Sequence, residues 1–73
     1  MTRTPAQHTH DRLCRLLRAR LLRNDETLAA LKLAILRRDH AGAGRLRATA
    51  RRNTRHIGTL LDALTHLETE ATA

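Results

Sequence analysis

His10, Cys14, Leu17, Leu21, Asn24, Leu28, Leu31 and Ile35 recur at alternating steps of four and three residues. Leu46, Ala50, Asn53, Ile57, Leu60, Leu64 and Leu67 repeat the pattern. That period places each set along one side of an α-helix, while on a strand the same residues would scatter over both faces. Two such seams in a chain of 73 residues leave room for little besides two long helices. The composition agrees. There is no Phe, Tyr or Trp, and the apolar residues are mostly Leu and Ala. Val is missing as well. Strands favour β-branched and aromatic side chains, whereas Ala, Leu and Arg favour helices, so the chain reads as all-α.

The boundaries follow from local chemistry. Thr4-Pro5-Ala6-Gln7 supplies an N-cap, a proline at the first helical position and a glutamine that completes a capping box. The first helix is expected over 5–38. Asn24-Asp25-Glu26 offers a second capping site, but the seam keeps its phase through it, which favours one continuous helix. The alternative is a small three-helix bundle broken near Asn24. Gly42 and Gly44 mark a loop at about 39–44, with Gly42 as a left-handed cap or Asp39 capping the next helix. The second helix is expected over 45–69, with frayed ends. A short loop between long helices gives an antiparallel hairpin, and 1–73 reads as one helical domain. Setting Ile35 opposite Leu46 places Leu28 against Asn53 and Asn24 against Ile57. The two asparagines either fix the register from within the seam or sit solvated at its edge.

Leu13, Leu16, Leu22, Leu33 and Leu36 lie off the first seam, and one partner helix cannot cover them all. Domains this small seldom bury enough on their own, so a homodimer forming a four-helix bundle is expected. Otherwise the extra leucines would receive a different protein.

Most chemistry is excluded. With no Ser there is no serine nucleophile, and no Glu-x-x-His occurs for a di-iron bundle. Gly42-Ala43-Gly44 lacks the length and the preceding strand of a phosphate loop. The expectation is a non-enzymatic protein without a cofactor. His10 and Cys14, four residues apart, share a helix face and have the spacing of two metal ligands, with His66 or His8 as a third. Cys14 equally suits a small packing position, and no metal is expected. No stretch is long and apolar enough to span a membrane, and the N-terminus lacks the apolar run of a secretory signal. An amphipathic membrane-surface helix would want Trp or Phe anchors. One cysteine cannot form an internal disulfide, so a cytoplasmic protein is expected.

The formal net charge is +7, carried almost entirely by arginine. A GC-rich genome also produces arginine-rich chains, so the distribution matters more than the total. Residues 45–55 hold Arg45, Arg47, Arg51, Arg52 and Arg55 and no acid. Arg37, Arg38 and Lys32 approach from the first helix at the same end of the hairpin, opposed only by Asp39. Asp62, Glu68 and Glu70 lie in the last stretch, where Glu68 and Glu70 are expected to pair with Arg12 and Arg15. Arginine forks bind phosphate in a salt-dependent manner, which points to a nucleic-acid partner, RNA or DNA. The absence of aromatics excludes base-stacking platforms.

Ala50-Arg51-Arg52-Asn53-Thr54-Arg55 resembles the arginine-rich helical motifs of viral and phage RNA-binding regulators. The resemblance covers about ten residues and implies a helix entering a widened RNA groove. In those motifs an asparagine contacts bases, whereas here Asn53 falls on the apolar seam. In shape alone, the expected hairpin is similar to the small plasmid regulators of the Rop type. The competing reading is a helical adaptor, inhibitor or chaperone, with the five off-seam leucines as contact and the arginines meeting an acidic protein surface.

Overall fold

The computed structural model describes residues 4–72, with side chains through residue 70. It consists of two helices, α1 (Pro5–Leu36) and α2 (His40–Thr72), packed against each other as a hairpin of 54 × 22 × 12 Å. No strand occurs among the described residues.

The start of α1 follows the sequence. Thr4 is extended, its hydroxyl accepts from the Gln7 N–H (3.2 Å), and the Gln7 side chain accepts from the Thr4 N–H (2.9 Å). Two of the orphan donors of the first turn are thereby satisfied. The helix then runs unbroken through Asn24-Asp25, so the three-helix alternative does not hold.

The turn differs from the expected loop at 39–44. It is only Arg37, Arg38 and Asp39, so α1 ends before 38 and α2 begins five residues earlier than 45. Arg38 takes the left-handed position (φ 58°) that Gly42 was expected to supply. The Arg38 N–H donates to the Ile35 carbonyl (3.1 Å) and the Asp39 N–H to the Ala34 carbonyl (2.9 Å), the double bond of a Schellman ending. Asp39 caps α2 by accepting from the Gly42 N–H (2.9 Å). A Cβ at Gly42 would collide with that carboxylate, its Cγ only 2.7 Å away, so the glycine serves the cap from inside the helix. Gly42 and Gly44 are thus helical despite their weak propensity, because the turn on their N-terminal side is already closed. Arg38→Gly is expected to raise stability by about 1 kcal/mol, since only the L-residue carries the steric cost at this φ. A urea midpoint unchanged or lowered by the substitution would contradict this. At the other end α2 continues to Thr72, three residues beyond the expected 69; Ala73 lies outside the described residues.

The second seam packs as read from the sequence. Leu46, Ala50, Ile57, Leu60 and Leu67 are half-buried, and Asn53 and Leu64 are buried. The first seam is rotated. His10, Leu17, Asn24 and Leu31 do face α2, but Leu21, Leu28 and Ile35 stay 47%, 41% and 50% exposed. Thr27 and Ala34, one residue earlier in each heptad, are buried instead, with Leu13 and Arg20 half-buried on the same row. The small side chains of Thr27 and Ala34 let α2 approach closely.

Asn53 explains the register. Its side chain is only 4% exposed, and its amide donates to Asn24 Oδ1 (3.4 Å) and Thr27 Oγ1 (3.3 Å). The Thr27 hydroxyl in turn donates to the Arg23 carbonyl (3.0 Å). Burying this amide without partners would cost about 1–3 kcal/mol. Asn53 therefore sits between Asn24 and Thr27 rather than opposite Leu28, and α2 shifts from the register that pairs Ile35 with Leu46. Six other threonines, among them Thr49, Thr54 and Thr59, bond the carbonyl four residues earlier, which reconciles threonine with a helix interior. Fully buried large side chains are absent among the described residues.

A candidate nucleic-acid interface

The first half of α2 carries its arginines on every side that does not face α1. With the seam fixed by Leu46, Ala50 and Asn53, the 3.6-residue period puts Arg45 and Arg52 on one flank. Arg47 and Arg51 take the other, and Arg55 points directly away. All five are exposed. Arg37, Arg38 and Lys32 are exposed at the same end. These eight residues spread over the turn-proximal half of the hairpin, wrapped about it rather than lying in one plane. Arg52 is anchored to Thr49 by a bond from a guanidinium nitrogen to Oγ1 (3.3 Å).

Asp39 is the acid in the turn beside them. Among the described residues no arginine lies within ion-pair distance of a carboxylate. The expected pairing of Arg12 and Arg15 with Glu68 and Glu70 is not formed. Histidines take those acids instead, His10 Nε2 at 3.7 Å from Glu68 and His66 Nε2 at 3.0 Å from Glu70. The reason is position, since His10 is on the row facing α2 while Arg12 and Arg15 project from the outer side of α1. At the tip, Asp39 is committed to its cap. Asp39→Asn keeps an acceptor for the Gly42 N–H and removes the charge, whereas Asp39→Ala loses the cap at about 1 kcal/mol. The expected result is an unchanged thermal midpoint for the Asn variant and a lowered one for the Ala variant.

Two basic residues that the sequence reading passed over join this surface. Arg20 is half-buried, and with Leu16, His56, Thr59 and Leu60 it lines a shallow cavity of about 230 Å³ on one broad face of the hairpin. Arg23 is exposed one turn further along α1. The signal for Arg20 was its heptad spacing from Leu13, Thr27 and Ala34, visible only once the correct seam is known.

The five off-seam leucines do not form one surface. Leu13 is half-buried in the hairpin seam, and Leu16 belongs to the Arg20 cavity. Leu22, Leu33 and Leu36 lie on the outer side of α1, where Leu36 is 78% exposed.

Cys14 Sγ lies 3.8 Å from His10 Nδ1. His66 is engaged with Glu70, and no group of three metal-ligating side chains comes together among the described residues. No helix of the described residues is long and apolar enough to cross a membrane. No protein-family model, curated protein or solved structure matches the chain.

Proposed function

We propose that this protein is a small non-enzymatic regulator that binds nucleic acid as a homodimer. Arg45, Arg47, Arg51, Arg52 and Arg55 hold phosphates, and Arg37, Arg38 and Lys32 extend the grip around the tip. The observation that supports this most is the one above: a rigid helix presents exposed arginines with no carboxylate partner among the described residues. Such a surface raises the local concentration of a polyanion and releases its counterions on contact. Asn53 takes no part in base reading, because its amide is buried against Asn24 and Thr27. Recognition therefore works through groove shape and phosphate spacing.

Fluorescence anisotropy with short RNA and DNA duplexes tests the reading. The expected result is tight binding at low salt that falls linearly on a log–log plot between about 50 and 200 mM, with a slope reporting several phosphate contacts. Absence of binding at the low-salt end would overturn it. The exposure of Leu22, Leu33 and Leu36 favours a second reading, an adaptor, inhibitor or chaperone that seats a partner's apolar helix on that outer stripe. It becomes the better one if duplexes fail to bind and a protein partner is lost on replacing Leu33 and Leu36 by polar residues.

A further inference from the structure

The broad face that bears the Arg20 cavity is basic on both helices. Leu16 and Arg20 of α1 and His56 and Thr59 of α2 line that cavity, which fixes the sides of the two helices that share the face. Heptad spacing extends each side toward the turn. On α1, Arg23 is one heptad beyond Leu16. On α2, Arg52 and Arg45 are one and two heptads before Thr59. Arg23, Arg45 and Arg52 are exposed, and Arg20 is half-buried. None of these four arginines is ion-paired to a carboxylate among the described residues.

The cross-hairpin bonds give their relative heights. Asn53 bonds both Asn24 and Thr27, so Arg52 stands about one turn beyond Arg23, on the opposite margin of the face. The Arg52 guanidinium donates to Thr49 Oγ1 (3.3 Å), and Thr49 is one heptad before His56, so this bond turns Arg52 over the face rather than away from it. Between the margins the row of Arg20 continues with Thr27 and Ala34, both buried, while Thr49 is half-buried. These short side chains leave a strand room to approach the helices between the arginines. The other flank of α1 is different. It carries Leu21, Leu28 and Ile35, which are 41–50% exposed, with Asp25 four residues after Leu21. Bulky apolar groups beside a carboxylate make that flank the poorer surface for a polyanion.

We propose that a nucleic-acid backbone runs lengthwise along the Arg20 face, its phosphates gripped by Arg20 and Arg23 of α1 and by Arg45 and Arg52 of α2. This deepens the nucleic-acid reading above and rests on it. It adds α1 to the interface, extends the contact from the turn-proximal half to the cavity, and leaves the Leu21–Leu28 flank free of nucleic acid. At 1.5 Å per residue, the track from Arg20 to Arg45 is about 20 Å long. A duplex carries one phosphate about every 3.4 Å of axis on each strand, so about six fall along it. Guanidinium forks on phosphates set the position and orientation of the hairpin without reading bases.

Anisotropy titrations with one RNA duplex and one DNA duplex of the same sequence, at several salt concentrations, test the site. Arg20→Gln with Arg23→Gln should lower affinity tenfold or more at about 50 mM salt and reduce the salt slope by about two. Arg23→Gln alone should reduce the slope by about one. That side chain is exposed, so the single variant keeps the test valid if circular dichroism shows that replacing the half-buried Arg20 costs helicity. Arg18→Gln is the control, because Arg18 is exposed one heptad before Asp25, on the other side of α1. It should change affinity less than twofold and leave the slope unaltered. If the unsubstituted protein binds neither duplex, the regulator reading and this site fall together. If it binds, and the folded Arg20 and Arg23 variants match it in affinity and slope, this face is overturned while the regulator reading stands. An Arg18→Gln loss equal to that of Arg23→Gln overturns it too, since the contact would not be confined to one face.

Discussion

Replacing Arg51 and Arg52 together by alanine is expected to lower affinity for a nucleic-acid duplex tenfold or more at low salt while leaving helicity intact. Both side chains are exposed and neither is ion-paired, so the hairpin loses no tertiary contact with their removal. Arg52 gives up one bond to Thr49, whose hydroxyl keeps its own bond to the Arg45 carbonyl. Alanine is the better helix former, so stability should hold or rise slightly. The binding loss has a signature beyond its size. Each arginine that releases a phosphate reduces the salt slope by about one, so the variant binds more weakly and less steeply. Anisotropy titrations at several salt concentrations measure both quantities. Unchanged affinity and slope would remove these two residues from the interface. Lower affinity at an unchanged slope would mean the effect is not electrostatic.

The second large effect concerns stability. Leu64→Ala is expected to cost about 2–4 kcal/mol, whereas Leu36→Ala should change little. Leu64 is 8% exposed and is the one large apolar side chain among the buried residues, the others being Ala34 and Ala43. Leu36, next to the turn, is 78% exposed and buries almost nothing. Marginal domains have only several kcal/mol in total, so Leu64→Ala should leave a substantial unfolded population near physiological temperature. Thermal melts followed by circular dichroism compare the two directly. Similar midpoints for both variants would mean that α1 and α2 are not held together through this position.

Several features of the fold were legible in the residues themselves. The capping box at Thr4 and Gln7 depends on groups three residues apart, and local chemistry fixes it. Helix continuity through Asn24-Asp25 followed from the unbroken phase of the seam, and α2 buries the residues its spacing picks out. The charge concentration in 45–55 is a property of the sequence alone, and a helix with one buried stripe has no choice but to expose it. The turn was less legible, because two glycines suggest a loop only if no better stop exists. The left-handed Arg38 provides that stop through backbone bonds that its residue type does not reveal, whereas the Asp39 cap is a side-chain bond and one of the two closings the residues offered.

What only the tertiary structure decided is which side of α1 faces α2. Two rows offset by one residue, the apolar Leu21-Leu28-Ile35 and the mixed Leu13-Arg20-Thr27-Ala34, flank the shared row of Leu17 and Leu31. Hydrophobic periodicity prefers the first, since it is richer in large side chains. The hairpin buries the second. Close approach of two helices rewards small residues there, and the Asn53 amide finds its acceptors only at Asn24 and Thr27. Apolar attraction is non-directional and leaves a leucine-rich helix free to rotate about its axis. A buried amide is directional, and its need for partners sets both the rotation of α1 and the register of α2.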